Sequence, residues 1–303
     1  MQFLKVCLFL YLFALHGESL NAGLIKTPSG LRLSVEFWES IFEKYSHKQC
    51  VFHDSKYVNV IFQVKKISSG RKSKYLISRS KSNIRKALGK FSRGSRPKNR
   101  FEKRIYAAVP KNLRSKNYWR RAQKRIRCQR GIKESFKLSL ARSSRHLPFI
   151  KRELRKKHIP VDLAYLPHLE SGFNHRAHSK AGARGLWQLM PGTARGYMNV
   201  SRYRDDRLNT NISTKFAVRI LKNNYKKTNS WPLAITGYNY GINGVVKAIK
   251  KYRTNDYMVI RNRHKTRIFG FAAKNFFPSF LAVRNLALKQ KLLSKKKKKV
   301  KMF

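Results

Sequence analysis

Acidic residues are scarce in this 303-residue chain. Asp and Glu together number 13, against 70 Lys and Arg, which gives a formal net charge of +57. A surface of that charge repels itself and attracts polyanions, namely nucleic acid, an acidic membrane surface or a carboxylate-rich cell wall. Charge alone does not choose among these partners, and a general bias toward lysine explains it equally well. Hydrophobic residues still make up 42% of the chain, which is enough to bury a core and excludes a wholly disordered protein.

Cysteine is rare as well, with three in the whole sequence. Cys7 lies within an apolar N-terminal run, which leaves Cys50 and Cys128. In an oxidising compartment these two could pair, and two buried free thiols are the alternative. The histidines are scattered, and no Cys/His group has the spacing of metal ligands. We therefore predict no metal site and no cofactor.

Long hydrophobic runs are confined to the N-terminus. Lys5 precedes an apolar run of about ten residues, a pattern typical of a signal peptide, and cleavage after Ala22 fits it. The run is shorter than the roughly 20 residues that span a membrane, although its retention as an anchor stays an alternative. We expect an exported protein of the periplasm or cell envelope, membrane-associated if the segment is retained. No stable transmembrane segment is expected after cleavage, and export argues against a specific nucleic-acid partner.

Strand signals are sparse, so the predicted fold class is mainly α. Apolar residues recur at helical spacing over residues 35–45, whereas residues 57–64 fit either a strand or a helical turn. Composition divides the chain into four parts: a signal peptide (1–22), a basic, mostly helical N-terminal region (23–148), a catalytic domain richer in glycine and uncharged apolar residues (149–290) and a disordered lysine-rich tail (291–303).

Glu170 is the strongest candidate for carboxylate chemistry. It ends a segment in which Leu163, Leu166 and Leu169 lie on or near one apolar face. Desolvation beside such a wall raises the pKa of a carboxyl group, as a general acid near neutral pH requires. Glu170 is also the only glutamate after Glu153. If Glu170 is considered alone, an ion pair with one of the many arginines explains its presence better than a catalytic role does.

Two later segments change that balance. Residues 179–193 are rich in glycine and small residues, which allow tight turns and close approach of a ligand. In this segment Trp187 is suited to stacking on a sugar, Gln188 to hydrogen bonding and Met190 to lining a groove. Residues 231–244 put Tyr238 and Asn239 at the end of an apolar helix. Each segment alone is explained by a turn or a capped helix end. The segments taken together, in this order along the chain, are a specific signal of function.

These segments resemble the SLT domain of bacterial lytic transglycosylases, which cleave peptidoglycan. The matching motifs are Glu170-Ser-Gly-Phe-Asn174, Ser179–Thr193 and Ala234–Gly241. The form Leu166-Pro-His-Leu-Glu170 is similar to the membrane-bound transglycosylase D subgroup, and the similarity extends from about residue 30 to 285. That subgroup often carries wall-binding LysM repeats after the catalytic domain. The sequence leaves no room for one, so we expect the basic N-terminal region and the lysine tail to bind the anionic cell-wall surface.

The resemblance implies a lysozyme-like α fold with a groove for peptidoglycan glycan strands. Glu170 would protonate the glycosidic oxygen and then, as a base, deprotonate the muramoyl C6 hydroxyl, which leaves a 1,6-anhydromuramoyl end. Ser179 would contact the sugar near the cleaved bond, and Gln188 would bind its N-acetyl or hydroxyl groups. Tyr238 would orient Glu170, and Asn239 has a weaker, structural assignment. Most glycoside hydrolases need two carboxylates, so a lone glutamate fits this mechanism.

Three other functions stay open from the sequence. A lysozyme-type muramidase on the same fold would release reducing ends. A non-catalytic peptidoglycan-binding protein would keep the fold without the chemistry. A basic nucleic-acid binder is opposed by the signal pattern and by the lack of a nucleic-acid motif.

Overall fold

A computed structural model describes residues 24–67 and 70–300, without the side chains of 295–300. The predicted signal peptide, residues 1–22, lies outside the described residues. The described residues divide into two compact units: a basic unit of residues 28–138 with 281–300, and a site unit of residues 139–280 with 24–27. The predicted domain boundaries, 148/149 and 290, lie about ten residues from these. Within the described ranges, no helix is both long and apolar enough to cross a membrane.

Helices dominate both units, as predicted from the sequence. In the basic unit they are α1 (Arg32–Glu43), α2 (Gly70–Ser92), α3 (Arg100–Ala107) and α4 (Lys116–Ala122), and α5 (Lys133–Ser143) runs from this unit into the next. The site unit contains α6 (Leu147–Lys156), α7 (Pro167–Glu170), α8 (Pro191–Ala194), α9 (Thr210–Thr228), α10 (Trp231–Tyr240), α11 (Ile242–Tyr252) and α12 (Tyr257–Arg263). The last helix, α13 (Phe271–Val300), starts in the site unit and ends in the basic unit.

The basic unit also contains a three-stranded antiparallel sheet in the order β2-β1-β3, formed by β1 (Gln49–Asp54), β2 (Ile61–Lys66) and β3 (Ile126–Arg130). The undecided segment 57–64 therefore ends in a strand. Successive side chains of β1 point to opposite faces of the sheet. Phe52 joins a core with Leu88, Phe91 and Trp119, whereas His53 packs its ring 4.6 Å from Phe37 of α1. Both faces of the central strand are thus buried.

Cys50 on β1 and Cys128 on β3 form a disulfide, with α-carbons 5.6 Å apart. The strand register pairs Cys50 with Arg130 and Phe52 with Cys128, so the two cysteines are diagonal neighbours across the ladder. This pairing decides between the two alternatives that the sequence left open. It closes a loop with a sequence separation of 78 residues within the basic unit.

The lysine-rich end was expected to be disordered over residues 291–303. The structure differs from that expectation up to residue 300. Helix α13 continues through Val300, so residues 291–300 are helical. Lysine is a good helix former, and neither Gly nor Pro interrupts the chain between Ser279 and Val300. Pro278 lies inside the helix, near its first turns.

In the site unit, α9 packs against α6, α10 and α11. Asn209 caps α9, because its side-chain oxygen accepts hydrogen bonds from two backbone N–H groups of the first turn. Asn229 ends the same helix in a left-handed conformation. Pro232 occupies the first turn of α10, where its missing N–H costs no hydrogen bond. This helix group supports the irregular segment 171–190, which carries most of the predicted site residues.

Candidate functional site

Glu170 is the last residue of the short helix α7. Its Oε1 atom is buried, and no hydrogen-bond partner reaches it from the described part of the chain. Burial raises the pKa of the Glu170 carboxyl to about 8. The rise in the pKa of Glu170 that desolvation predicts is therefore present, and Leu163 and Leu166 of the expected apolar wall are fully buried. At neutral pH the Glu170 side chain carries its proton and can donate it.

The turn around Glu170 is held by its neighbours. His168 contacts the hydroxyl of Ser139 through Nδ1 and packs edge-on to the Phe173 ring, with centroids 4.5 Å apart. Burial lowers the pKa of His168 to about 3, so this ring is neutral and adds no charge beside Glu170. Ser171 donates a hydrogen bond to the Leu186 carbonyl at 2.8 Å, which ties the turn to the glycine-rich segment.

The other acidic side chains of the site unit are engaged elsewhere. Their partners are as follows: Lys156 and Arg152 for Glu153, the Ile25 N–H for Asp162, Arg184 and Arg207 for Asp205, Arg204 and the Asn199 N–H for Asp206, and the Val259 N–H for Asp256. Asp205 and Arg207 form a local ion pair, with 2.7 Å between Arg207 Nη2 and Asp205 Oδ2. Glu170 is thus the one described carboxyl of this unit with a buried oxygen left without a partner.

The glycine-rich segment folds back on itself. Arg184 and Leu189 exchange backbone hydrogen bonds, and the Gly185 N–H donates to the Ala177 carbonyl at 2.9 Å. Gln188 adopts a left-handed backbone with φ of 48°. Its Nε2 donates to the carbonyls of Gly185 and Ala177, at 3.0 and 3.3 Å. The amide donors are used internally, which leaves the Gln188 side-chain oxygen as the acceptor toward a ligand.

Three predicted site residues line one open cavity of about 510 Å³, a volume within the usual range for ligand pockets. They are Gln188, Met190 and Tyr238. Met190 is exposed at the cavity, with 43% of its surface accessible. The Tyr238 hydroxyl donates to the Trp187 carbonyl at 2.8 Å. Burial, followed by the charge of Glu170, raises the pKa of Tyr238, so Tyr238 lies within electrostatic range of that carboxyl.

Glu170, Ser179 and Asn239 are not among the residues that line this cavity. The Ser179 hydroxyl oxygen accepts a hydrogen bond from the Ala183 N–H at 3.0 Å and so braces the glycine-rich turn. Asn239 is exposed on the last turn of α10. Tyr238, which the resemblance assigns to orienting Glu170, donates its hydroxyl hydrogen bond to the Trp187 carbonyl.

The suggestion that Trp187 stacks on a sugar is wrong. Its side chain is fully buried, and its indole N–H donates to the Thr214 hydroxyl at 2.9 Å. The sequence could not show this, because Thr214 lies 27 residues away on α9. Conversely, the sequence reasoning missed Tyr240, which lines the cavity. Tyr240 occupies a variable position of the motif at Ala234–Gly241, between Asn239 and Gly241, so the motif itself gave no signal for it.

No group of three or more His, Cys, Asp or Glu side chains that could hold a metal ion occurs among the residues the structure describes. The chemistry that this arrangement offers is that of a protonated carboxyl at the end of α7, together with the polar and apolar groups of the cavity that Tyr238 lines. A protonated carboxyl in an apolar setting is suited to general acid catalysis.

Comparisons with known proteins place this site within a family domain. Residues 148–260 match the family model described as Transglycosylase SLT domain. Membrane-bound lytic murein transglycosylase D of Escherichia coli (strain K12) is 34% identical over 111 residues, which are 36% of this chain and 25% of that protein. A protein named for tributyltin chloride resistance, from Alteromonas sp. (strain M-1), is 34% identical over 115 residues, 37% of this chain and 56% of that protein.

A solved structure of lytic transglycosylase Slt from Pseudomonas aeruginosa, an inactive mutant, is similar at a TM-score of 0.42 and 20% identity. That similarity covers 71% of this chain and 37% of the other. The chain thus spans between a quarter and just over half the length of the curated relatives, and the region shared with them is the SLT domain.

Proposed function

We propose that this chain, which contains a transglycosylase SLT domain over residues 148–260, is a lytic transglycosylase of peptidoglycan. The substrate is the β-1,4 bond between N-acetylmuramic acid and N-acetylglucosamine. The observation that carries the proposal is the Glu170 carboxyl, whose buried Oε1 has no partner and which is protonated at neutral pH, while the other described carboxyls of its unit have partners. Its segment has the Glu-Ser-Gly-Phe-Asn form typical of the family.

The mechanism uses one carboxyl group twice. Protonated Glu170 donates its proton to the glycosidic oxygen as the bond from that oxygen to muramoyl C1 breaks. The resulting Glu170 carboxylate then takes the proton from the C6 hydroxyl of the same sugar while O6 bonds to C1. Glu170 ends protonated, the leaving glucosamine carries its new O4–H, and no water is consumed. A base that must first act as an acid benefits from a pKa near the working pH.

Product mass tests this reaction. Purified sacculi digested by the wild-type chain should release muropeptides that end in 1,6-anhydromuramic acid. Each of these is lighter by one water than the reducing-end product that hydrolysis of the same bond would give. A muramidase would add one water at every cut, and that result would overturn the transglycosylase assignment. Failure of the wild-type protein to cut sacculi would favour the non-catalytic binding function.

A substitution isolates the role of Glu170. Glu170→Gln should reduce release of anhydro products by about 10³-fold or more, because an amide cannot donate and recover the proton. Asp256→Asn is the matched control: the same change from carboxylate to amide, at an exposed helix N-cap where Asn caps equally well. Full activity in Glu170→Gln, or equal loss in both variants, would contradict the assignment.

The distribution of positive charge indicates which surface of the chain binds the cell wall. No acidic residue occurs between Ser55 and Phe101, and α2 lies within that stretch. One face of α2 is buried through Ile84, Leu88 and Phe91. Apart from Lys90, which pairs with Glu102, the solvent face carries six exposed cations: Arg71, Lys72, Lys74, Arg79, Arg85 and Lys86. We infer that this face, defined here as the basic face of α2, binds the anionic cell-wall surface.

The inference is tested with inactive protein, so that the sacculi stay intact. In the Glu170→Gln background, the six cations of the basic face are changed to Gln, which keeps helix propensity. At physiological salt, affinity for sacculi should fall about tenfold or more, and its salt dependence should weaken. The control changes six exposed cations of the site unit to Gln: Lys215, Arg219, Lys226, Lys227, Lys250 and Lys251. Equal losses in both variants would show that net charge alone governs binding and would refute a specific face.

The cell envelope is the proposed location. The curated relative from Escherichia coli is named as membrane-bound, and the predicted signal peptide supports export. Fractionation of cells that produce the full chain tests this, with the protein expected outside the cytoplasm. Recovery of the chain in the cytoplasmic fraction would contradict the proposed location.

A further inference from the structure

Tyr240 lies at the end of α10 and lines the same cavity as Gln188, Met190 and Tyr238. Its side chain is half-buried. The hydroxyl is occupied by the Thr266 hydroxyl at 3.2 Å and by His264 Nε2 at 3.4 Å. With that oxygen engaged, the part of Tyr240 that remains for a ligand is the apolar ring.

The Tyr240 ring is braced from several sides. Phe269, which is buried, packs edge-on to it with centroids 4.9 Å apart. His264 is buried and packs edge-on at 6.1 Å, and burial lowers the pKa of His264, so the ring beside Tyr240 is neutral at pH 7. A side chain fixed by these contacts loses little conformational freedom when a ligand binds, which favours affinity.

Gly244 provides an independent observation. It lies in the first turns of α11, where glycine is a poor helix former. Its φ is not positive, so no backbone conformation there requires glycine. A β-carbon at Gly244 would instead collide with the Tyr240 ring, at 2.9 Å from Cζ and closer still to Cε1. The absence of a side chain at Gly244 thus lets the Tyr240 ring occupy its position at the cavity.

We propose that Tyr240 is a substrate-binding residue that stacks its ring on the apolar face of an N-acetylhexosamine unit of the glycan, with Gly244 as its positioning residue. The proposal rests on the proposed function for its substrate class. An aromatic ring offers a flat apolar surface, and sugars present C–H groups on one face of the pyranose ring. The polar part of recognition falls to the side-chain oxygen of Gln188 in the same cavity, because the Tyr238 hydroxyl already bonds to the Trp187 carbonyl. Ile268, 75% exposed, extends the apolar lining beyond Tyr240.

Binding is measured in the Glu170→Gln background with a soluble tetramer of N-acetylglucosamine, by calorimetric titration. Tyr240→Leu should raise Kd about tenfold, because the flat ring is lost. Tyr240→Phe should stay within about threefold, because the hydroxyl already bonds inside the protein. Tyr225→Leu is the matched control: Tyr225 is also half-buried in the site unit, but it stacks on Trp231 and is not part of the cavity lining.

Gly244→Ala provides the second variant, which keeps Tyr240 in the chain. It should weaken tetramer binding as Tyr240→Leu does, and it should cause no further loss in a Tyr240→Leu protein. A glycine with a merely structural role would lower affinity equally in both backgrounds. This double-mutant comparison also keeps the proposal testable if Tyr240→Leu folds poorly.

An unchanged Kd in Tyr240→Leu, or a tetramer that does not bind the parent protein, overturns the proposal. Its failure is distinct from failure of the proposed function. Anhydro products from sacculi, together with Tyr240-independent binding, would keep the transglycosylase and remove the stacking role. Tyr240-dependent binding without anhydro products would keep the stacking role and remove the transglycosylase.

Discussion

The Tyr238 hydroxyl donates a hydrogen bond to the backbone carbonyl of Trp187 at 2.8 Å. These residues lie 51 positions apart, on α10 and on the glycine-rich segment. The carbonyl immediately precedes Gln188, whose backbone is in the left-handed region at φ of 48°. The bond therefore fixes the strained Gln188 peptide against α10, beside the cavity that both side chains line.

Tyr238→Phe should remove that anchor. We expect a loss of about 1 kcal/mol in the free energy of unfolding. Turnover on sacculi should also fall, because Gln188 is no longer held. Tyr257→Phe is the matched control, since Tyr257 also donates to a backbone carbonyl, that of Lys274, away from the cavity. It should lose stability but keep turnover. Equal turnover losses would show that the effect is one of stability alone.

The raised pKa of Glu170 predicts a pH dependence of stability. The folded-state value is about 8 against an ordinary value of 4.5, so the folded chain binds the proton more tightly than the unfolded chain. The stability that this group contributes is full below about pH 4.5 and is lost as pH rises toward 8. Glu170→Gln should therefore raise the free energy of unfolding at pH 8 by about 1–2 kcal/mol relative to wild type.

The measurement is denaturant unfolding of both proteins at pH 5 and pH 8. The free energy of unfolding should decline less from pH 5 to pH 8 in the Gln variant than in wild type. An equal decline in both proteins would contradict the raised pKa of Glu170. Wild-type activity should also fall as pH passes through about 8, because the acid must carry its proton.

Gly185 is expected to tolerate no side chain. Its φ is 78°, and a β-carbon there would overlap the carbonyl oxygen of Arg207. Gly185→Ala should lower the free energy of unfolding by about 2–4 kcal/mol, since the obstructing atom belongs to the backbone. Gly192→Ala is the control, because no atom lies within 4 Å of its β-carbon position and its φ is not positive. Similar thermal midpoints for both variants would contradict this packing argument.

Reduction of the Cys50–Cys128 disulfide should destabilise the basic unit. The bond closes a long loop between two strands, and its loss should cost about 2–4 kcal/mol. Thermal unfolding with and without reductant measures the effect, and a Cys50→Ala/Cys128→Ala double variant provides the control, because it should not respond to reductant. If wild type is equally insensitive, the pairing does not stabilise the fold.

Much of the fold follows from local pattern. Helical spacing over residues 35–45 predicted the helix observed at residues 32–43, and the apolar segment that carries Tyr238 predicted the helix that ends at Tyr240. The sheet was harder to predict, because β1 is buried on both faces and shows no simple alternation of polar and apolar residues. The lysine-rich end was misjudged up to Val300, because charge suggested disorder where helix propensity gave a helix.

The candidate site divides in the same way. Gln188, Met190 and Tyr238 were identified from motifs and do line one cavity. Trp187 was assigned to the ligand because aromatic residues suit sugars, but residue type does not reveal that its N–H meets Thr214 in the core. Tyr240 was overlooked for the opposite reason, because it stands at a variable motif position.

The sequence by itself determined the mainly helical class, the extreme positive charge and Glu170 as the only glutamate of the segment that carries the motifs. These properties depend on residue type and on spacing along the chain, which sequence states directly. Tertiary structure decided that Cys50 pairs with Cys128, that the neighbouring carboxyls are occupied and that the Glu170 oxygen is buried without a partner. Burial and pairing depend on residues distant in the chain, and the pKa of Glu170 follows from those surroundings alone.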